Sequence, residues 1–226
     1  DLNGGNNLDL TSGTGNIVFA NGQAVGAGTR LGTLTIVSAG NVAGNPAAGA
    51  DAAPITATAI DQQNGIGTTR FGALNTNGAA GIDLGSGGAI NNVTLNGAVT
   101  TTAGGPLRIN AGGTITLADT TGAADTAGVD INLTGTFTQL GGGSVDTAAD
   151  ITTAAQNISF ADPVRLTGSV SLATGAAGGT VTLTGTVDGD GVAGDEDLIV
   201  AAGTGDITAA SVVGATNAVG GLTLSG

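Results

Sequence analysis

The sequence predicts an all-β chain, a right-handed parallel β-helix (β-solenoid) in which short strands wind into stacked coils. Three observations lead there. Val, Ile and Leu recur at period two from end to end, and no stretch keeps a helical period. Gly, Asn and Asp punctuate these runs about every ten residues, the spacing of a sandwich, a barrel or a solenoid. The aromatic complement is four residues, Phe19, Phe71, Phe137 and Phe160. That is little to anchor a sandwich core, but a narrow bore can be filled with stacked Val, Ile, Leu and Ala. Asn-Gly steps also support hairpins, so tandem antiparallel β-sandwich domains stand as the alternative.

Taken in order, the strand candidates are Leu8 to Leu10, Ile17 to Phe19, Leu34 to Val37, Ile55 to Ile60, Ile82 to Leu84 and Val93 to Leu95. They continue with Leu107 to Ile109, Ile115 to Leu117, Val129 to Leu133, Phe137 to Leu140, Ile158 to Phe160 and Val164 to Leu172. Val181 to Val187, Leu198 to Val200, Ile207 to Ala209 and Leu222 to Leu224 complete them. Thr, Asn, Asp and Ser fill the alternate slots, as in Thr180-Val181-Thr182-Leu183-Thr184, so Thr is expected to face outward. Asn21-Gly22, Asn64-Gly65, Asn77-Gly78 and Asn96-Gly97 are expected to supply the positive φ of tight turns.

Composition excludes more than any motif includes. The 226 residues carry a net charge of −13 and contain 44 Gly, with no Cys, His, Met, Trp, Tyr or Lys. Without imidazole, thiol or amine side chains, nucleophile–base triads, Schiff bases and structural zinc are out. Disulfides and Lys–Asn crosslinks cannot form either, which leaves packing and backbone pairing to hold the fold. The only basic residues are Arg30, Arg70, Arg108 and Arg165, so no phosphate-tracking surface exists and nucleic acid is not an expected partner. Each Arg adjoins an apolar position, and surface pairing with an Asp is its expected role. Charged residues make up 9% of the chain, against about 25% in an ordinary soluble domain. Disorder competes for so Gly-rich a chain, yet the regular apolar clusters favour order. No apolar run reaches the roughly 18 residues of a membrane-spanning helix. The chain opens at Asp1 without Met or a signal-like segment, which suggests a processed or excised part of something longer.

An internal repeat is the strongest single clue. Leu8 to Ile17 aligns with Leu198 to Ile207 around a shared Gly-Thr-Gly-(Asn/Asp)-Ile. The match resumes with Val25-Gly26-Ala27 against Val213-Gly214-Ala215, and with Leu34-Thr35-Ile36 against Leu222-Thr223-Leu224. Residues 1–226 therefore read as one continuous solenoid with repeat-like blocks at 8–40 and 198–226. Coils of about 20 to 30 residues rising about 4.8 Å each would make eight to eleven coils. No polar cap is evident at either terminus.

On these segments, Leu8 to Gly40 and Leu198 to Gly226, with the Thr-Leu-Thr-Gly-Thr-Val-Asp step within Val181 to Asp188, the chain resembles very long bacterial β-strand-repeat surface and secreted proteins. The likeness is to filamentous-haemagglutinin-type and autotransporter-adhesin stalks, and it covers about a third of the chain. It implies a right-handed parallel β-helix in an extracellular fibre or stalk at the bacterial cell surface, with no enzymatic residues to carry over.

The densest carboxylate cluster is Asp188 and Asp190 around Gly189, followed by Asp195, Glu196 and Asp197. Hard oxygens at alternate positions about a Gly turn suit Ca²⁺, which takes six to eight of them, so these five residues form a candidate calcium site. The same residues also make an ordinary solvated acidic turn. No calcium-stacking nonapeptide occurs, no cofactor is required, and sixteen Asp against one Glu reads as turn building rather than glycosidase chemistry. Thr-x-Thr pairs resemble those of ice-binding solenoids, but their irregular sequence spacing argues against a flat array. The sequons at Asn92, Asn132 and Asn157 would be silent in a bacterium. The expectation is a non-enzymatic stalk segment that associates end to end; a sandwich-type ligand-binding adhesin is the alternative.

Overall fold

The computed structural model describes residues 2–20, 23–43, 53–120, 130–192 and 196–226. Its described residues form strands, turns and bends with no helix, and none is therefore long and apolar enough to cross a membrane. In chain order come β1 (Leu8–Thr11), β2 (Ile17–Val18), β3 (Leu31–Ser38), β4 (Val42–Ala43), β5 (Ile55–Gln62) and β6 (Thr68–Phe71). Each following coil supplies three strands. They are β7 (Leu74–Thr76), β8 (Ile82–Leu84) and β9 (Asn92–Leu95), then β10 (Val99–Thr101), β11 (Leu107–Asn110) and β12 (Thr114–Leu117). Next are β13 (Ile131–Leu133), β14 (Phe137–Leu140) and β15 (Ser144–Thr147), then β16 (Ile151–Thr153), β17 (Ile158–Phe160) and β18 (Val164–Leu166). The series closes with β19 (Val170–Ala173), β20 (Val181–Leu183), β21 (Val187–Asp188), β22 (Asp197–Ala201), β23 (Ile207–Ala209) and β24 (Gly221–Ser225).

Every ladder between these strands is parallel, and each strand pairs with its counterpart one coil away. The chain is a parallel β-helix, not the antiparallel sandwich of the alternative. Three faces wrap a single bore. Face one stacks the first half of β5 with β7, β10, β13, β16, β19, β22 and β24. Face two stacks β1, β3, the second half of β5, β8, β11, β14, β17, β20 and β23. Face three is an eight-stranded sheet of β2, β4, β6, β9, β12, β15, β18 and β21, giving about eight turns. Coil length varies from 19 residues (Ile55↔Leu74) to 32 (Val99↔Ile131), because insertions enter at corners without disturbing the ladders.

The bore is filled in columns. Leu34, Ile60, Ile82, Leu107, Phe137, Ile158 and Val181 lie one above another on face two, and all are buried. Phe137 and Phe160 meet with ring centroids 4.9 Å apart at 44°. Such columns bury whole aliphatic side chains, each worth about 1.5–3 kcal/mol.

Three expectations need correction. The runs Val164 to Leu172 and Val181 to Val187 are not single strands: corners at Thr167-Gly168-Ser169 and Thr184-Gly185-Thr186 divide them. A three-residue corner keeps the odd–even phase, so the alternation passes through it unmarked. The described glycines of the Asn-Gly steps, Gly65, Gly78 and Gly97, are not at positive φ. Gly97 is required instead because a Cβ there would run into the Ala73 backbone of the coil below. Finally, some Thr point inward. Thr101, Thr153 and Thr174 are buried at the corner after face one, where their hydroxyls donate to the carbonyls of Gly105, Gln156 and Gly179 and close the turn.

Candidate functional site

The acidic turn follows β21. Asp188 Oδ1 accepts the Thr216 N–H at 2.8 Å, so this carboxylate ties one coil to the next. Asp190 Oδ1 accepts the Val192 N–H at 2.7 Å. That bond, then a hydrogen bond from Glu196, and more weakly the charge of Arg165, hold the Asp190 carboxyl below the usual carboxylate range. Glu196 is buried and accepts the Asp190 N–H through Oε1 at 3.2 Å. Asp197 starts β22 and projects outward. Asp195 lies outside the described residues. Among the described residues, no three acidic side chains converge on a metal-sized centre; those of Asp188, Asp190 and Glu196 are engaged with backbone N–H groups.

The cations divide. Arg165 makes a two-pronged pair with Asp146 on face three, Nε to Oδ1 at 2.9 Å and Nη2 to Oδ2 at 2.8 Å, which raises its pKa. Arg108 reaches Asp83 at 2.7 Å across face two. Both pairs bridge adjacent coils in register, as expected. Arg30 instead donates to the Ala57 and Asn75 carbonyls and to Asn75 Oδ1. Arg70 borders a shallow depression of about 280 Å³ with Asn16, Asn41 and Thr68.

The Thr arrays are more regular than the sequence spacing implied. Thr138, Ser159, Thr182 and Thr208 stack in one outward row of face two, one hydroxyl per coil. The next outward positions mix Leu140, Ala161, Thr184 and Ala210, so the hydroxyls do not extend into a uniform lattice.

A recurrent device was missed at the sequence level. Where a strand begins, the residue just before its first inward aliphatic is often Asn, Asp or Ser, and its side-chain oxygen accepts the N–H of the register partner in the next coil. On face two, Asn7 takes the Thr33 N–H at 2.8 Å and Asn157 takes that of Thr180 at 2.9 Å. On face three, Asn16 takes Asn41 at 3.0 Å, Asn41 takes Thr68 at 2.8 Å and Asn92 takes Thr114 at 2.9 Å. On face one, Asp130 takes Asp150 at 2.9 Å, Asp150 takes Ser171 at 2.7 Å and Ser169 takes Asp197 at 2.9 Å. All eight run the same way, from a coil to the one after it.

The cause is the parity of a parallel ladder. Inward residues donate their N–H to the following coil, as Ile158 does to the Thr180 carbonyl, while outward residues donate to the preceding one, as Thr56 does to Val25. At the first outward position the preceding chain has already turned the corner, and a side-chain oxygen replaces the missing carbonyl. The signal is the dipeptide Asx-Ile/Val/Leu, recurring along the stack: Asn16-Ile17, Asn41-Val42, Asn92-Val93, Asp150-Ile151 and Asn157-Ile158.

The ends of the described coil stack differ from its middle. Leu222 and Leu224 of β24 are 47% and 54% exposed. Leu8 and Leu10 of β1 and Ile17 of β2 are only partly buried. Comparison with family models, with curated proteins and with solved structures returns no match.

Proposed function

We propose that the chain is a structural segment of a bacterial extracellular fibre or adhesin stalk, a rod that reaches, attaches or builds matrix and associates end to end. The observation that carries the proposal is the continuous parallel stack of about eight turns around one apolar bore, a fold that lengthens by adding coils. Open sheet edges template further strands. A chain without Cys, Lys, Tyr or Trp suits an oxidising, protease-rich exterior. The role is mechanical and not enzymatic; release of reducing ends from a bacterial polysaccharide would overturn that part.

Negative-stain images and fibre diffraction of the purified chain test the reading. Thin uniform rods with an axial spacing of roughly 4.8 Å are expected; isolated particles at every concentration would refute it. Loosely held Ca²⁺ at Asp188, Asp190, Asp195, Glu196 and Asp197 is a separate proposal, motivated by their density in sequence. Identical melting with chelator and with added Ca²⁺ would remove it.

A further inference from the structure

We infer that the depression beside Arg70 on face three is a binding site for a carboxylate-bearing sugar, a uronic acid in class, with the Arg70 guanidinium as its anchor. The inference stands apart from the fibre reading, since it concerns the side of the coil stack and needs no assembly. Six residues from three successive coils line the hollow in two columns. Asn16, Asn41 and Thr68 stack in one, and Val18, Ala43 and Arg70 in the other. Columns two residues apart along a strand lie about 6.6 Å from each other. The hollow holds about 280 Å³, room for one ring-sized ligand.

Arg70 differs from the other three cations. Arg108 and Arg165 each bond an Asp of the coil below, Asp83 and Asp146, while Arg30 donates to the carbonyls of Ala57 and Asn75. Val42 pairs with Thr69, which sets Ala43 below Arg70, and Thr94 stands above it. No described residue makes a hydrogen bond or ion pair with the Arg70 guanidinium. A second hollow on the same face, of about 300 Å³, supplies the comparison. It contains Arg165 with Asp146 and Asp188 in register on either side, so its cation is neutralised from within the chain. The Arg70 hollow has the cation and, among the described residues, no carboxylate, in a chain of 17 acidic and four basic residues. A guanidinium is a planar fork that matches a carboxylate, and here the ligand brings the carboxylate.

The remaining lining narrows the class. The side-chain oxygens of Asn16 and Asn41 already staple one coil to the next: Asn16 Oδ1 accepts the backbone N–H and Nδ2–H of Asn41, and Asn41 Oδ1 accepts the Thr68 N–H. That leaves the Asn16 Nδ2 group and the Thr68 hydroxyl with no bond to a described residue, and both can donate. Val18, 56% exposed, and Ala43 add an apolar surface beside them. A sugar acid answers all three features, with its carboxylate on Arg70, ring oxygens on Asn16 and Thr68, and a C–H face on Val18 and Ala43. An acidic peptide side chain would answer Arg70 alone.

Titration of the isotope-labelled whole chain with galacturonate, followed by amide chemical shifts, tests this. Saturable shifts at Val18, Ala43 and Arg70 with a Kd of about 1 mM are expected. Galactose and acetate, which carry the ring and the carboxylate separately, should each bind at least about tenfold more weakly. Arg70→Ala should melt like wild type, since the side chain has no described partner to lose, and weaken galacturonate by about tenfold or more; Arg70→Lys should recover part of it. Ala43→Asp sets a carboxylate under Arg70 as Asp146 stands under Arg165, and should block galacturonate as fully, whereas Arg165→Ala should leave the titration unchanged. Absence of saturable shifts, or binding to Arg70→Ala as tight as to wild type, overturns the site. Acetate or sulfate that matches galacturonate overturns the sugar reading in favour of a bare anion contact, and a Glu-rich peptide that binds more tightly overturns it in favour of a protein ligand. The fibre reading stands or falls separately, on the images of rods.

Discussion

The coil of β13, β14 and β15 and the C-terminal end of the stack, with β22, β23 and β24, are built from the same alternating pattern but live differently. In the middle coil Phe137 and Val145 are fully enclosed, each with a rung above and below. At that end Leu222 and Leu224, the register partners of buried Leu198 and Val200, are about half exposed. What makes an inward residue a core residue here is its vertical neighbour, not its place in the strand. The middle is stable because it is covered twice; the ends carry the same chemistry uncovered once.

Substitutions should break that contrast unevenly. Phe137→Ala removes a fully buried ring from the bore and should cost about 3–5 kcal/mol, whereas Leu224→Ala should stay below about 1 kcal/mol; urea denaturation of both reads the difference, and equal costs would refute the contrast. Gly143→Ala should be as damaging as Phe137→Ala, because a Cβ at Gly143 would run into the Gly113 carbonyl of the coil below. Loss of a central staple in Asn157→Ala leaves the Thr180 N–H without its acceptor and should cost about 1–2 kcal/mol, while Asn157→Asp, the residue used at Asp150, should be far milder.

Two smaller effects sharpen the picture. Ala155 sits at φ 56°, a left-handed conformation costly for a residue with a Cβ. Ala155→Gly should therefore stabilise by up to about 1 kcal/mol, seen as a rise in Tm. The smallest effect belongs to pH. The Asp190 pKa is lowered in the fold, so its contribution is present above the ordinary carboxylate value and is lost as pH falls through the lower folded value. Asp190→Asn should thus lower neutral melting slightly and narrow the loss of stability in acid by the same small amount.

Much of the fold was legible because a β-helix is written locally. Ile82-Asp83-Leu84 or Val181-Thr182-Leu183 reads as in–out–in wherever it occurs, and the absence of His, Cys and Lys excludes whole chemistries without reference to shape. The acidic turn was legible as a cluster, but not as a set of backbone acceptors, because Asp188 reaches Thr216 across one full coil. The corners in Val164 to Leu172 were hidden by a phase that a three-residue turn preserves.

The alternation, the missing residue types and the Asx-aliphatic dipeptides are properties of the sequence itself, since each depends only on neighbours along the chain. Which residues stack was decided by the tertiary structure. The repeat shows this: Leu8 stands on face two and Leu198 on face one, although the segments around them match, because the same local pattern serves on either face and only pairing with the neighbouring coil fixes which. Coil length ranges from 19 to 32 residues with the insertions at its own corners, so no fixed spacing in the sequence records which residues stack.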